Sequence, residues 1–177
     1  MIHGRMAWLA LALVAMLVAC AAQETADVAE DVTETAAQIL DADAAAAVVD
    51  AMEQGYIDAY GAEDGAGIAA LFAADGTQAR PLFPTMDVAG IEAANETTFA
   101  SGADYSLEVE REGMVIADGW ITSWGGFLAT VVAEGAEPVT VTGRYGTVQH
   151  LEPDGTWKIH RHIFNYEVPP PGFGLEE

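Results

Sequence analysis

The apolar positions of this chain change period once, from a helical spacing of three and four residues to the alternation of strands. From Ala44, the residues Val48, Val49, Met52, Tyr56, Ala59 and Tyr60 recur at three- and four-residue intervals, and Asp50, Glu53, Gln54 and Asp58 fill the other side. That spacing predicts an amphipathic helix of about four turns, which Gly61 can end in a left-handed conformation. Asp64 is placed to cap a short second helix carrying Ile68, Leu71 and Phe72, and Asp75-Gly76 to turn the chain out of it. Thr77 to Phe83 reads as a short strand. Pro81 has no amide hydrogen, so this strand belongs at a sheet edge or carries a bulge. Asp87 can cap a third helix, Val88 to about Ala100, with Gly102 beyond its end.

From Tyr105 to Glu110 apolar and polar residues alternate strictly, as a half-buried antiparallel strand requires. Asp118-Gly119 is a hairpin signal. Trp120 to Val132 follows as a long apolar strand, with Gly125-Gly126 inside it predicting a bulge or sharp bend. Gly135 to Pro138 turns into Val139 to Leu151, and Pro153-Asp154-Gly155 into Thr156 to Val168. The order is helix, helix, strand, helix, then four antiparallel strands, with no internal repeat.

The N-terminal segment has a different character. Arg5 precedes an apolar run from Met6 to Val18, too short for a permanent transmembrane helix, and Leu17-Val18-Ala19-Cys20 closes it. This pattern matches a bacterial lipoprotein signal, in which small residues admit the peptidase and the freed Cys20 carries the lipid. An ordinary secretory signal cleaved around Ala19-Cys20-Ala21 is the alternative, and both export the chain. The expected organisation is a signal peptide over 1–19, a flexible acidic tether over 20–43, a domain over 44–168 and a tail over 169–177. The tether is rich in Ala, Asp, Glu and Thr, without aromatic or basic residues, and cannot bury enough apolar surface to offset its chain entropy.

Charge narrows the partners. The formal net charge is −22, and removing the leader with Arg5, its one charged residue, makes the chain one unit more negative. Such a field repels phosphate backbones and anionic headgroups. Nucleic acid is excluded, and the lipid on Cys20 is the only membrane contact expected. The single cysteine also excludes an intramolecular disulfide.

The order of elements resembles the nuclear-transport-factor-2-like superfamily, with its ketosteroid isomerases and SnoaL-like polyketide cyclases. Tyr56-Ile57-Asp58-Ala59-Tyr60, followed by Asp64, Ile68, Leu71-Phe72, Asp75 and Thr77 to Pro81, is similar to the corresponding segment of ketosteroid isomerases. Gly90-Ile91-Glu92 resembles the opening of the family's third helix. Gly143-Arg144-Tyr145 and Gly155-Thr156-Trp157-Lys158-Ile159 resemble the last two strands of the SnoaL-like group. The resemblance covers roughly Ala44 to Val168. It implies an α+β cone of cystatin-like type: a curved antiparallel sheet wrapped around the long N-terminal helix, open at one end. It also implies that Tyr56 matches a tyrosine that donates to a developing oxyanion. The general-base carboxylate before a proline is replaced by Arg80, which cannot abstract a proton. Ketosteroid isomerase activity is therefore not expected.

The residues themselves supply the other candidates. Arg80 faces either the pocket mouth, where it would clamp an anion, or solvent. Tyr56 and Tyr60 share a helix face, as core aromatics or as ligand contacts. His160 and His162 share a strand face at period two and are the acid-base candidates. No Asp or Glu accompanies them within that strand, so no metal or other cofactor is expected. Parity forces a choice, barring a bulge: either Lys158, His160, His162 and Phe164 face inward, or Trp157, Ile159, Arg161 and Ile163 do. Trp120, Trp124, Phe127, Tyr145, Trp157 and Phe164 offer an aromatic lining, and Trp124, Arg144 and Asn165 complete the expected ligand contacts.

Three functional readings follow. The first is an exported, lipid-anchored domain that binds a small apolar or weakly anionic ligand. The second is a cofactor-independent isomerase, cyclase or dehydratase, with a histidine of the last strand as acid-base and Tyr56 polarising a carbonyl. The third is a structural homodimer that uses the outer sheet face.

Overall fold

A computed structural model describes residues 41–168 of the chain; the leader, Cys20, most of the expected tether and the C-terminal tail lie outside the described residues. The elements are α1 (Ala42–Gly61), α2 (Gly65–Ala70), β1 (Phe72–Ala79), α3 (Val88–Phe99), β2 (Asp104–Ala117), β3 (Trp120–Val132), β4 (Val139–Leu151) and β5 (Trp157–Tyr166). Each helix starts on an aspartate. The side chains of Asp41, Asp64 and Asp87 each accept a backbone N–H three residues on, at 2.8 Å, satisfying one of the amides a helix start leaves unpaired. Asp41 moves the start of the domain ahead of Ala44, and the last residues assigned to the tether belong to α1.

The five strands form one open sheet in the order β1-β5-β4-β3-β2. It is mixed rather than wholly antiparallel. Neighbours from β2 to β5 run antiparallel, whereas β1 lies parallel to β5. The chain leaves β1 through α3 and three strands before β5 returns beside it in the same direction. β1 takes the edge position that Pro81 requires, but it ends at Ala79 instead of Phe83. Asp75-Gly76, expected as a turn, lies inside this strand, where the register with β5 shifts between Phe72 and Thr77. A Cβ on Gly76 would meet the carbonyl oxygens of Ala73 and Ile159, both at 2.8 Å, so glycine here permits close backbone approach.

Two further bulges shape the sheet. One lies in β2 between Arg111 and Gly113, facing Gly125 and Trp124 of β3. The other lies in β5, where Ile159 pairs with Gln149 and Arg161 with Val148, leaving His160 as the extra residue. Each inserted residue bends its strand and exchanges the faces of everything beyond it. The sheet thereby curls around α1. Met52, Ile68, Phe72, Ile91, Phe99 and Ile159 form the main core, and Ala45, Val49 and Ile121 a second cluster under the start of α1.

Candidate functional site

Between the tyrosine face of α1 and the inward residues of β2 to β5 lies a cavity of about 140 Å³, partly open to solvent. Strand alternation supplies its apolar walls: Leu107 and Val109 from β2, Phe127 and Ala129 from β3, Phe164 and Tyr166 from β5. Its polar groups are Glu53, Tyr56 and Tyr60 of α1, Thr147 and Gln149 of β4, and His162 of β5.

Tyr56, Gln78 and His162 form one network. The Gln78 amide nitrogen donates to the Tyr56 hydroxyl at 3.2 Å and lies 3.0 Å from Nδ1 of His162. With that nitrogen as donor, Nδ1 accepts, and the proton of the neutral imidazole is on Nε2. Burial lowers the His162 pKa to about 4, so the ring is uncharged at neutral pH. Burial raises the Tyr56 pKa against the opposing effects of Gln78 and Arg80. The hydroxyl stays protonated, and its hydrogen is not used by Gln78. The site therefore presents two neutral donors, Tyr56 O–H and His162 Nε2–H.

A second polar group stands elsewhere on the wall. Glu53 accepts from the Tyr145 hydroxyl at 2.6 Å and from Arg111 Nη1 at 3.3 Å, while Arg111 Nη2 reaches Asp50 at 2.6 Å. Burial raises the Tyr145 pKa, and its hydrogen bond to Glu53 adds to the effect, so Tyr145 remains the donor. Deeper in, Ser123 and Thr147 share a hydrogen bond of 2.8 Å and Gln149 Nε2 donates to Thr147 at 3.1 Å. Gln149 Oε1 is buried with no hydrogen-bond partner.

The structure brings some of the expected site residues together and separates others. Tyr56, Tyr60 and His162 line the cavity. Tyr60 packs edge-on against Phe99 and Tyr105, and burial raises its pKa. Arg80 follows β1, with its guanidinium 4.2 Å from the centre of the Phe83 ring. Its Nε is buried without a partner, and its charge lowers the pKa of Tyr56 and Tyr166 against the larger upward effect of burial. It thus acts on the cavity electrostatically and is not among its lining residues.

His160, Trp124, Arg144 and Asn165 are not in the cavity, contrary to expectation. His160 is the bulged residue and lies on the outer face with Trp120 and His150. Trp124 falls between the inward Ser123 and Gly125, is 39 % exposed, and covers Gly113. Arg144 falls between the inward Gly143 and Tyr145 and forms an exposed ion pair with Glu112. Asn165 is exposed and donates to the Tyr166 carbonyl at 3.4 Å.

Glu53, Gln78, Thr147 and Gln149 are polar residues of the site that the sequence reading passed over. Glu53 is expected on the side opposite the tyrosines but lines the cavity with them; it precedes Tyr56 by three residues and Tyr60 by seven, a spacing that places all three on one helix face. The two glutamines had no such signal, since their strands read correctly with either face inward.

No protein-family model matches the sequence, and no curated protein matches it. Solved structures match in fold. A ketosteroid isomerase-like protein from Erwinia carotovora atroseptica superposes with a TM-score of 0.61 at 16% identity, over 70% of this chain and 96% of that one. ActVI-ORFA from Streptomyces coelicolor gives 0.61 at 23% identity, over 68% and 96%. A protein of the NTF2-like family from Streptomyces avermitilis gives 0.59 at 13% identity, over 72% and 99%. The fold is thus that of the NTF2-like and ketosteroid isomerase-like proteins, as the order of elements implied. Identities at this level speak for architecture, and the chemistry has to be read from the residues.

Proposed function

We propose that this chain is an exported, lipid-anchored domain that binds a small, largely apolar ligand carrying one carbonyl-type acceptor. The observation that carries this reading is the pair of neutral donors, Tyr56 O–H and His162 Nε2–H, in an otherwise aromatic and aliphatic cavity. A space of about this size accommodates roughly one aromatic ring, and a few convergent polar groups among apolar walls fix orientation. The positive charge of Arg80 behind Tyr56 and Tyr166 favours an acceptor with partial or full negative charge. Acetophenone and ethylbenzene differ in the acceptor at nearly constant size. Calorimetric titration should give the ketone about tenfold tighter binding, one hydrogen bond's worth. Equal affinity for the two, or none for either, would sink the reading. Export rests on the apolar leader and the lipid anchor on Cys20; Cys20→Ser should move the protein out of the membrane fraction, and a mutant as membrane-bound as wild type would contradict the lipid anchor.

The second reading, a cofactor-independent isomerase or lyase, is favoured by Glu53. A carboxylate in the cavity supplies the base that Arg80 cannot. His162 suits that role poorly, because a ring with a pKa near 4 holds no proton at neutral pH and accepts one weakly. In this reading Tyr56 polarises the carbonyl and Glu53 moves the proton. Loss of turnover with retained ketone binding in Glu53→Gln would select it over simple binding.

A further inference from the structure

A second constellation lies on the outer face of the sheet, away from the cavity. Trp120 and His150 are paired across β3 and β4, with ring centres 4.2 Å apart. The bulge in β5 turns His160 onto the same face, against both of them. Glu152, just past the end of β4, completes the group: ligand atoms of His150, Glu152 and His160 all lie within 4.8 Å of one another. We propose that His150, Glu152 and His160 bind one divalent transition-metal ion of the Zn²⁺ type, with Asp75 orienting His160.

The geometry is close to what such an ion needs. Zinc takes nitrogen and carboxylate oxygen at about 2.0–2.2 Å, so ligand atoms around a tetrahedral ion stand roughly 3.3 Å apart. Nε2 of His160 and Oε1 of Glu152 are 2.7 Å apart, and a ring nitrogen of His150 lies within 4.8 Å of the ligand atoms of both residues. Two imidazoles on one tetrahedral ion have ring centres roughly 5 Å apart; those of His150 and His160 are 5.6 Å apart with planes at 89°. Nδ1 of His160 lies 3.3 Å from Asp75 Oδ1. A carboxylate there accepts Nδ1–H and leaves the Nε2 lone pair for the metal, the arrangement that commonly supports ligating histidines.

The donor set also selects the ion. Two imidazoles and one carboxylate suit Zn²⁺, Ni²⁺ or Cu²⁺ rather than the hard, oxygen-seeking Mg²⁺ or Ca²⁺. Three protein ligands leave a fourth position for water or another small donor. The nearby cations are directed elsewhere. Lys158 donates to the Ala70 carbonyl at 2.7 Å, and Arg161 to the carbonyls of Asp75 and His160 at 3.1 and 2.6 Å. The competing account makes His160 an imidazolium tying Glu152 to Asp75. That account leaves His150 only its packing against Trp120 and His160 and makes no use of its ring nitrogens beside Glu152.

The test is a titration of the untagged full chain with ZnCl₂ in excess Mg²⁺, which occupies the acidic surface. One Zn²⁺ per chain is expected, with affinity falling at least tenfold in His150→Ala and in Glu152→Gln. His150→Ala leaves the contacts of His160 with Glu152 and Asp75 in place, so loss of Zn²⁺ binding there separates a metal site from an ion-pair bridge. CuCl₂ should quench tryptophan fluorescence, and Trp120→Phe should remove most of that quench while retaining Zn²⁺. Absence of saturable Zn²⁺ binding, or equal binding by wild type, His150→Ala and Glu152→Gln, would overturn the proposal.

Discussion

His160 and His162 stand two residues apart on β5 and point to opposite faces of the sheet. Regular alternation would put them on the same face. The bulge leaves His160 without a register partner, while Ile159 and His162 both turn inward to Gln149 and Thr147. Burial satisfies both halves of the strand this way. Trp157 and Ile159 pack under α1 on one side of the bulge, and His162, Phe164 and Tyr166 line the cavity on the other. Arg161 and Ile163, the latter 61 % exposed, remain outside. Each of the two parity choices is correct for half of the strand, and one residue separates the histidine of the cavity from that of the outer cluster.

Stability between pH 6.5 and 4 should depend on His162. Its pKa is about 6.5 in the unfolded chain and about 4 in the fold, lowered by burial. In that window the unfolded state binds more protons, so stability rises with pH; the contribution is complete above about 6.5 and is lost as pH falls through 4. The full difference is roughly 3 kcal/mol. Carboxylates also contribute to acid unfolding, so the comparison is with His162→Phe. Denaturant unfolding should show the wild type losing ground relative to the variant as pH falls from 7 to 4. Parallel pH profiles would mean that His162 titrates normally.

Tyr56→Phe should remove the preference for a ketone over the matching hydrocarbon while leaving hydrocarbon binding within about twofold. The ring is retained; the loss of the hydroxyl as acceptor for Gln78 affects both ligands alike, and its loss as donor removes about 1 kcal/mol from ketone affinity alone. Calorimetry with acetophenone and ethylbenzene reads both quantities. An undiminished preference would place the acceptor on another group, such as His162.

Legibility in the sequence followed the range of the interactions. The helices and the Asp118-Gly119 hairpin were readable because an aspartate cap, a 3.6-residue period and a two-residue turn are local; Asp118 and Gly119 adopt φ of 49° and 78°. The parallel pairing of β1 with β5 was not, since its partner lies some eighty residues away and neither strand encodes direction. The bulge at His160 was equally silent, because the residues that demand it are Val148 and Gln149 of another strand. Cavity membership inherited both gaps. Tyr56 was readable from its helix face, whereas the place of Trp124, Arg144 and Asn165 depends on which face of each strand turns inward, and the local pattern leaves that open.

The adjacent glycines of β3 should respond differently to alanine. Gly125 is buried against the bulge of β2, and a Cβ there would overlap the Glu110 carbonyl oxygen and press on the Arg111 Cα at 3.0 Å. Gly126 has nothing nearer than 3.8 Å. Backbone cannot yield as a flexible side chain can, so Gly125→Ala should destabilise by about 2–3 kcal/mol and Gly126→Ala by less than about 1 kcal/mol. Thermal unfolding of the two variants measures the contrast. Similar effects at both positions would mean that the bend depends on glycine flexibility rather than on close approach.

Arg111 links the helix to the sheet through Asp50 and Glu53, and it should matter chiefly through Glu53. The side chain of Asp50 is 64 % exposed, so water and salt screen its contact strongly. That of Glu53 is only 18 % exposed and also accepts from Tyr145. Arg111→Leu removes the counter-charge from a partly desolvated carboxylate, which should cost about 1–3 kcal/mol at pH 7. Replacing the carboxylate as well should recover part of that cost, because a neutral amide in Glu53→Gln no longer needs the cation. The double-mutant cycle should therefore show a coupling of about 1 kcal/mol between Arg111 and Glu53, against a few tenths for Arg111 and Asp50. Urea unfolding of the single and double variants supplies both values. A coupling near zero for the Glu53 pair would mean that Tyr145 and solvent suffice to hold the carboxylate, freeing it to act on a ligand without its arginine.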